Sequence, residues 1–314
     1  MEQVFTITFI TGLLAAMMRM ATPIIFGTLG EILSERAGVL NLGIEGIMLM
    51  GAMTGFLTTL TTGSLWLGVA AAALVGALLA LFMAFLAVYL GLSQHVSGLG
   101  ITLFSTGLAM FIYRLSVGSP VNPPTVRPFT QAAIPFLSEI PVIGPAFFTQ
   151  YALVYWAFIL IPALWVLLYR TTWGLAIRTV GENPLAADTV GINVNLVRTL
   201  CLAGGGALMG IGGAFLTLAH QNMFLIDVVG GRGWISIAMV IFGNWDPARG
   251  AAGALIFGFL DALQLRLQGL GFDIPFHLFL LIPYLMTVVA LVSVSRRAAA
   301  PAGLLKPYRR EEKG

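Results

Sequence analysis

The chain has 314 residues, of which 58% are hydrophobic and only 9% charged, with a formal net charge of +3. A soluble domain carries about a quarter charged residues, so these proportions exclude a soluble globular protein. The apolar runs are continuous and about 20 residues long, which excludes a transmembrane barrel and predicts an all-α, polytopic helical membrane protein.

Nine transmembrane helices are expected, at 4–28, 38–60, 65–90, 96–116, 149–169, 197–219, 232–244, 249–267 and 274–295. The first run follows Met1-Glu2-Gln3 with no Lys or Arg before it. A cleavable signal peptide begins with basic residues, so this run reads as a retained helix. Arg19 lies near its middle, and Pro23 frees a backbone carbonyl there. Arg19 therefore either satisfies carbonyls or a neighbouring helix, or meets substrate.

The second run opens with "GVLNLGIEG", which places Asn41 and Glu45 in an apolar segment. A carboxylate in hydrocarbon is costly unless compensated. The glycines beside it mark either a break in the helix or a close packing point. After the fourth run comes 117–148, which holds seven of the 15 prolines and cannot be a regular helix. It reads as an outer loop lying over the bundle or as a docking surface for an external partner.

Residues 170–196 form the main loop between the fifth and sixth runs. Asn183 is a good N-cap, Pro184 suits the first helical position and Gly191 is a natural stop. The spacing predicts a short helix over 184–190, entered through Gly181. Such a helix either carries force from a soluble partner or lies at the lipid headgroups.

In the sixth run, Gly204, Gly205, Gly206, Gly210, Gly212 and Gly213 make a small-residue stripe suited to close helix packing. The seventh run is short, as a broken or tilted span would be. In the eighth, Asp261, Gln264 and Gln268 share one helical face, which packs on a neighbour's polar groups or faces water. Trp66, Trp234 and Trp245 lie near span ends, where aromatic anchors collect.

Lys/Arg bias sets the orientation. With the tail after Ser295 in the cytoplasm, 11 basic residues fall inside and four (Arg114, Arg127, Arg232, Arg266) outside, and an odd span count puts the N-terminus outside. The loop around Ser34-Glu35-Arg36 is then internal.

Aligning Glu45-Gly46 with Arg232-Gly233, an offset of 187, lays Gly43, Gly46 and Met50 over Gly230, Gly233 and Ile237. Spans 1–4 then match spans 6–9 with one helix between them, so the second set is inverted. Inverted repeats with interrupted helices are a transporter design. The expected organisation is a single transmembrane domain over 1–314: repeat one at 1–116, the Pro-rich outer loop at 117–148, a central helix and cytoplasmic loop at 149–196, repeat two at 197–295, and a basic tail at 296–314. Glu45 and Arg232 occupy matching positions and need not touch; they are expected to line opposite parts of one path.

Cys201 is the sole cysteine, and His95, His220 and His277 are scattered, so no disulfide or metal site is expected. No Walker-type loop and no nucleophile–base set is visible, and nothing in the charge pattern suggests nucleic acid.

Several stretches are similar to known sequences. "GENPLAADTVGI" at 181–192 resembles the coupling segment of permease subunits of ABC importers, in the sugar, nucleoside and branched-chain amino acid permease family. "GEILSERAGVLNLGIEGIMLMGA", "GGRGWISIAMVIFGNWDP", "GFLDALQLRLQ" and "RMATP" look like its nucleoside and simple-sugar subgroup. The resemblance implies one of two permease halves, the second being a homologous permease in a heterodimer. It is driven by cytoplasmic ABC ATPases that use ATP, and is served by an extracytoplasmic binding protein or lipoprotein. No cofactor is expected on this chain. Ten-helix members have one further N-terminal helix, and this chain resembles them from their second onward.

By that resemblance Gly181, Glu182, Asn183, Pro184, Ala186, Ala187 and Gly191 are the coupling residues. Bulky or charged changes at Ala187 are expected to uncouple transport while leaving folding intact. Candidates for the translocation path are Arg19, Asn41, Glu45, Asp227, Arg232, Trp234 and Asp261. The substrate is expected to be a nucleoside, purine nucleosides first, or a simple sugar, with Phe104, Phe224 and Trp234 available for stacking. An ion- or proton-coupled secondary transporter using Glu45, Arg19 and Asp261 is the alternative. A membrane enzyme would need clustered catalytic residues that the sequence does not offer.

Overall fold

Helix α1 (Ile7–Arg36) is 30 residues long. The structure, a computed structural model, describes residues 7–118, 120, 122–268, 281, 285, 288, 292 and 299–308. The helix runs on through the stretch expected to be an inner loop around Ser34-Glu35-Arg36. Glu31 and Glu35 are buried there because other parts of the chain donate hydrogen bonds to them, so they need not leave the protein interior.

Residues 37–43 form a non-helical elbow, and α2 (Ile44–Thr62) follows. The break in the second span thus lies before Glu45. Gly46 is not a break: it sits inside α2, where the missing Cβ admits Thr102 and Ser105 of α4 (Gln94–Val117). Between them, α3 (Leu65–Ala84) ends in a π-helical turn at Phe85–Tyr89.

The Pro-rich stretch carries β1 (Gln131–Ala133), α5 (Ile143–Phe147) and β2 (Thr149–Tyr151), with β1 and β2 paired antiparallel. Before the hairpin, the Val126 and Phe129 amides donate to Asn222 O (2.9 Å) and Leu218 O (3.0 Å). The segment therefore lies across the bundle end.

Next come α6 (Ala152–Arg170), α7 (Thr172–Glu182) and α8 (Pro184–Thr189). Helix α7 was expected to be loop. Its signal is local: Thr171 caps it by accepting from the Gly174 amide, and Gly174, Ile177, Val180 and Gly181 bury one face.

Helix α9 (Val194–Phe215) ends in a second π-helical turn, Leu216–His220. It is the hub. A Cβ at Gly205 would strike α1, at Gly206 or Gly210 it would strike α3, and at Gly213 it would strike α2. Backbones meet here without intervening side chains, as the glycine stripe predicts.

Finally α10 (Arg232–Phe242) and α11 (Pro247–Gln268) follow. Packing is reciprocal: α1 lies against α10 and α11, while α9 lies against α2 and α3.

Seven helices among the described residues are long and apolar enough to cross a membrane. Helix α10 is not one of them. Its 11 residues reach about 16 Å, roughly half the hydrocarbon thickness. The expected ninth span, 274–295, lies outside the described residues except for Leu281, Leu285, Val288 and Val292, which are helical and exposed. Tail residues Arg296, Arg297, Arg309, Arg310 and Lys313 also lie outside them, as does His277.

Candidate functional site: two helix starts and a coupling segment

Glu45 sits in the first turn of α2 and reaches across to the start of α10. Its Oε1 accepts from the Gly231 amide and its Oε2 from the Gly233 amide, both at 2.8 Å. Gly231, with φ +81°, is the α10 N-cap residue and has no side chain to cap with. The carboxylate supplies that cap, using two of the orphan donors at the positive end of the helix dipole. Gly233 is needed for the approach, since a Cβ there would lie 2.6 Å from Glu45 Oε2. The two aligned segments thus interlock: Glu45 bonds the amides on either side of Arg232.

Arg232 turns to Asp261 of α11, with 3.7 Å between Nη2 and Oδ2, and donates from Nη1 to the carbonyls of Val228 and Val229. Gln264 donates to Asp261 at 3.1 Å, so the polar face of α11 packs on Arg232. Arg19 donates from Nε to Gln150 Oε1 (3.1 Å) and lies 5.6 Å from the Tyr151 ring centre. Gln150 is buried and holds the carbonyls of Ala15 and Ala146. Arg19 is therefore tied to β2. Asp227 and Trp234 are exposed on and just after the 221–231 segment.

Beside that segment opens a cavity of about 210 Å³ whose lining includes Met110, Tyr113, Arg114, Phe224 and Ile226. The Tyr113 and Phe224 rings are 4.8 Å apart.

The elbow is held from several sides. The Asn41 amide donates to Glu31 Oε1 (2.8 Å), and Asn41 Oδ1 accepts from the Gly43 amide (3.0 Å). Asn41 is fully buried and acts as a bracket for the elbow backbone. Below it, Trp245 Nε1 donates to Glu35 Oε2 (2.6 Å), and Arg36 donates to Trp245 O and the Tyr169 hydroxyl, both at 3.0 Å. Trp245 is a buried structural donor, not the interfacial anchor its position suggested.

Residues 181–191 have the capped-helix form expected. Asn183 Oδ1 accepts from the Ala186 amide at 3.0 Å, Pro184 opens α8, and Gly191 has φ +86°. Gly181 is buried against the elbow, where a Cβ would strike Arg36 O. Ala187 is fully buried, so a bulky residue there would lift α8 from the body. The outward face presents Glu182, Asn183, Leu185, Ala186 and Val190, of which Leu185 and Val190 were not singled out from the sequence.

No group of three or more His, Cys, Asp or Glu side chains suited to a metal occurs among the described residues.

The family model for the permease component of branched-chain amino acid transport systems matches residues 13–291. The chain belongs to this permease family. A provisionally named glucose ABC transporter permease of Haloferax volcanii is 40% identical over 97% of the chain and 99% of its own length. A guanosine ABC transporter permease of Bacillus subtilis is 38% identical, covering 92% and 93%. A nucleoside ABC transporter permease of Lactococcus lactis is 35% identical, covering 92% and 94%. No solved structure matches the chain. The permease is thus a multi-pass membrane protein of the ABC transporter class, and its relatives are transport subunits rather than enzymes. ABC permeases of this family act with ATPase and substrate-binding partners.

Proposed function

We propose that this permease is one half of the transmembrane unit of an ATP-driven importer in the plasma membrane, for a purine nucleoside first and a simple sugar second. The second half is a homologous permease in a heterodimer. ATP is bound and hydrolysed by a separate cytoplasmic ABC ATPase, and an extracytoplasmic binding protein or lipoprotein delivers substrate. The C-terminus is cytoplasmic and the N-terminus outside.

The observation that carries the reading is the α7–α8 unit. A capped helix with an exposed rim at Leu185, Ala186 and Val190 is anchored through Gly181 to the α1–α2 elbow. A push on α8 reaches the elbow, and from there the start of α2 and, through Glu45, the start of α10. Gly181, Glu182, Asn183, Pro184, Ala186, Ala187 and Gly191 serve this coupling.

The reciprocal packing of α1 and α9 supports two inverted repeats, each seated on the first helix of the other. In the path, Trp234 and Asp227 are the open candidates, whereas Asn41, Glu45 and Arg232 hold backbone groups and Arg19 and Asp261 are tied to the side chains of Gln150 and Arg232. Because Arg19, Glu45 and Asp261 all have protein partners, ion-coupled secondary transport loses its main support. Tyr113, backed by the buried Phe224 ring, gives the cavity an aromatic wall that suits a planar base.

The test is uptake of labelled guanosine and of glucose into proteoliposomes carrying the assembled transporter and its binding protein, with and without ATP. ATP-dependent uptake of guanosine over glucose is the expected result. Uptake driven by an ion gradient without ATP would refute the reading.

A further inference from the structure

The C-terminal segment 299–308 folds back onto the same inner cluster, and its polar contacts are specific. The Ala302 amide donates to Glu182 Oε2 at 3.1 Å, and the Gly303 amide donates to Gly181 O at 2.7 Å. Both acceptors close α7, immediately before the coupling helix. A Cβ on Gly303 would also meet Pro184 Cδ at 3.2 Å.

The segment then crosses to Arg198 near the start of α9. This guanidinium is 1% exposed; it donates from Nη1 to Lys306 O and from Nε to Ala37 O, both at 3.2 Å. Ala37 begins the elbow. The segment's other end is tied to the α10–α11 turn, where the Ala299 amide donates to Asn244 Oδ1 at 2.9 Å.

A buried guanidinium is retained at high desolvation cost unless its donors are used. Here two of them join the C-terminal segment to the elbow.

We infer that residues 299–308 are a strap that transmits the motion of the coupling unit to the elbow, with Arg198 as its positioning residue. The inference rests on the coupling role proposed for α7–α8. Without the strap, α7 meets the elbow through packing contacts, Gly181 against Arg36 O and Gly38 and the Ala37 side chain in one cluster with Ile177 and Val180, which push more readily than they pull. Hydrogen bonds from Gly303 and Ala302 on one side and through Arg198 on the other make the connection two-way.

Arginine suits this role because Nε and Nη1 present two spaced donors in one rigid plane to Ala37 O and Lys306 O, a geometry that a flexible lysine ammonium, a point charge, does not hold. Glu182 then has a role within the chain, as acceptor for the strap.

Ala302 allows a narrow test. Leu304 donates to Pro301 O at 3.0 Å, so Ala302 is the second residue of a turn, a position that accepts proline. Ala302→Pro removes the amide proton given to Glu182 and keeps the turn. Ala302→Pro, Arg198→Lys and their double variant are reconstituted with the ATPase and binding protein. ATP hydrolysis and uptake are measured in the same vesicles. ATP-dependent hydrogen exchange is followed at α7–α8 and at residues 37–43.

The expected result is assembly and ATP hydrolysis at the wild-type level, with uptake per ATP lowered about tenfold, the change one charge-assisted hydrogen bond commands. Exchange at α7–α8 still responds to ATP while the response at 37–43 is lost, and the double variant is no worse than the poorer single. Wild-type uptake per ATP, or a persisting response at 37–43, overturns the strap. So does a loss of uptake that only follows lost assembly, because that marks a structural brace. If α7–α8 fails to respond to ATP even in the wild type, the coupling reading falls and takes the strap with it.

Discussion

Replacing Glu45 by alanine removes both acceptors from the first turn of α10. Each backbone N–H left without a partner costs about 1–3 kcal/mol, and the lost charge at the helix start adds up to about 1 kcal/mol. With two amides each at 2.8 Å from the carboxylate, the opening of this junction becomes easier by about 4 kcal/mol. Glu45→Gln keeps one acceptor oxygen and turns an NH₂ group toward the other amide, so about half of that loss is expected. Glu45→Asp is one methylene shorter and reaches one amide at most.

The assay is hydrogen exchange of peptides spanning 225–235 in nanodiscs. At 1.4 kcal/mol per factor of ten, Glu45→Ala lowers protection at Gly231 and Gly233 by about a thousandfold, with Glu45→Gln between it and wild type. Unchanged protection at these two amides in Glu45→Ala refutes the assignment of Glu45 as the α10 cap. So would a change confined to α2.

Gly233→Ala places a methyl 2.6 Å from Glu45 Oε2, and the resulting displacement is expected to cost about 1–3 kcal/mol, read as a lowered midpoint of thermal unfolding. Asn183→Ala removes the α8 cap and is expected to cost about 1 kcal/mol locally, seen as faster exchange at Ala186 with wild-type folding elsewhere. Gln150→Ala frees Arg19 Nε and the carbonyls of Ala15 and Ala146; a destabilisation of about 2–3 kcal/mol is expected in unfolding midpoints, and Gln150→Glu restores the contact with Arg19.

Much of this arrangement is written locally in the chain. Apolar runs fix where helices lie, and Asn183, Pro184 and Gly191 fix α8, because capping and turn chemistry act over a few residues. The glycines of α9 announce close approach for the same reason.

What the chain does not show is partnership across the fold. The internal alignment brought Glu45 to Arg232, yet the true partners are the amides on either side of it. A backbone N–H leaves no mark in a sequence, so the matched charges read as two separate points along one path and not as one junction. Glu31 and Glu35 look like loop residues because their donors, the Asn41 amide and Trp245, lie 10 and 210 positions away. Gln150, which satisfies Arg19, is 131 residues distant in an unremarkable context. Helix α7 was missed for a different reason: its apolar face of Gly174, Ile177, Val180 and Gly181 is clear but spans only 11 residues, about half the length of the membrane-spanning runs.

The glycine contacts of α9 bear on how the protein is able to move. Where backbone rests on backbone there are no rotamers to absorb a shear, and small displacements meet a hard repulsive wall. The part of the molecule around α9, with α1, α2 and α3 seated on it, therefore behaves as a chassis that turns as a unit. Flexure is left to the places where side chains or loops intervene: the elbow, the short α10 and the segment before it. A screen for variants with altered transport rate, not altered folding, is best aimed at those three places.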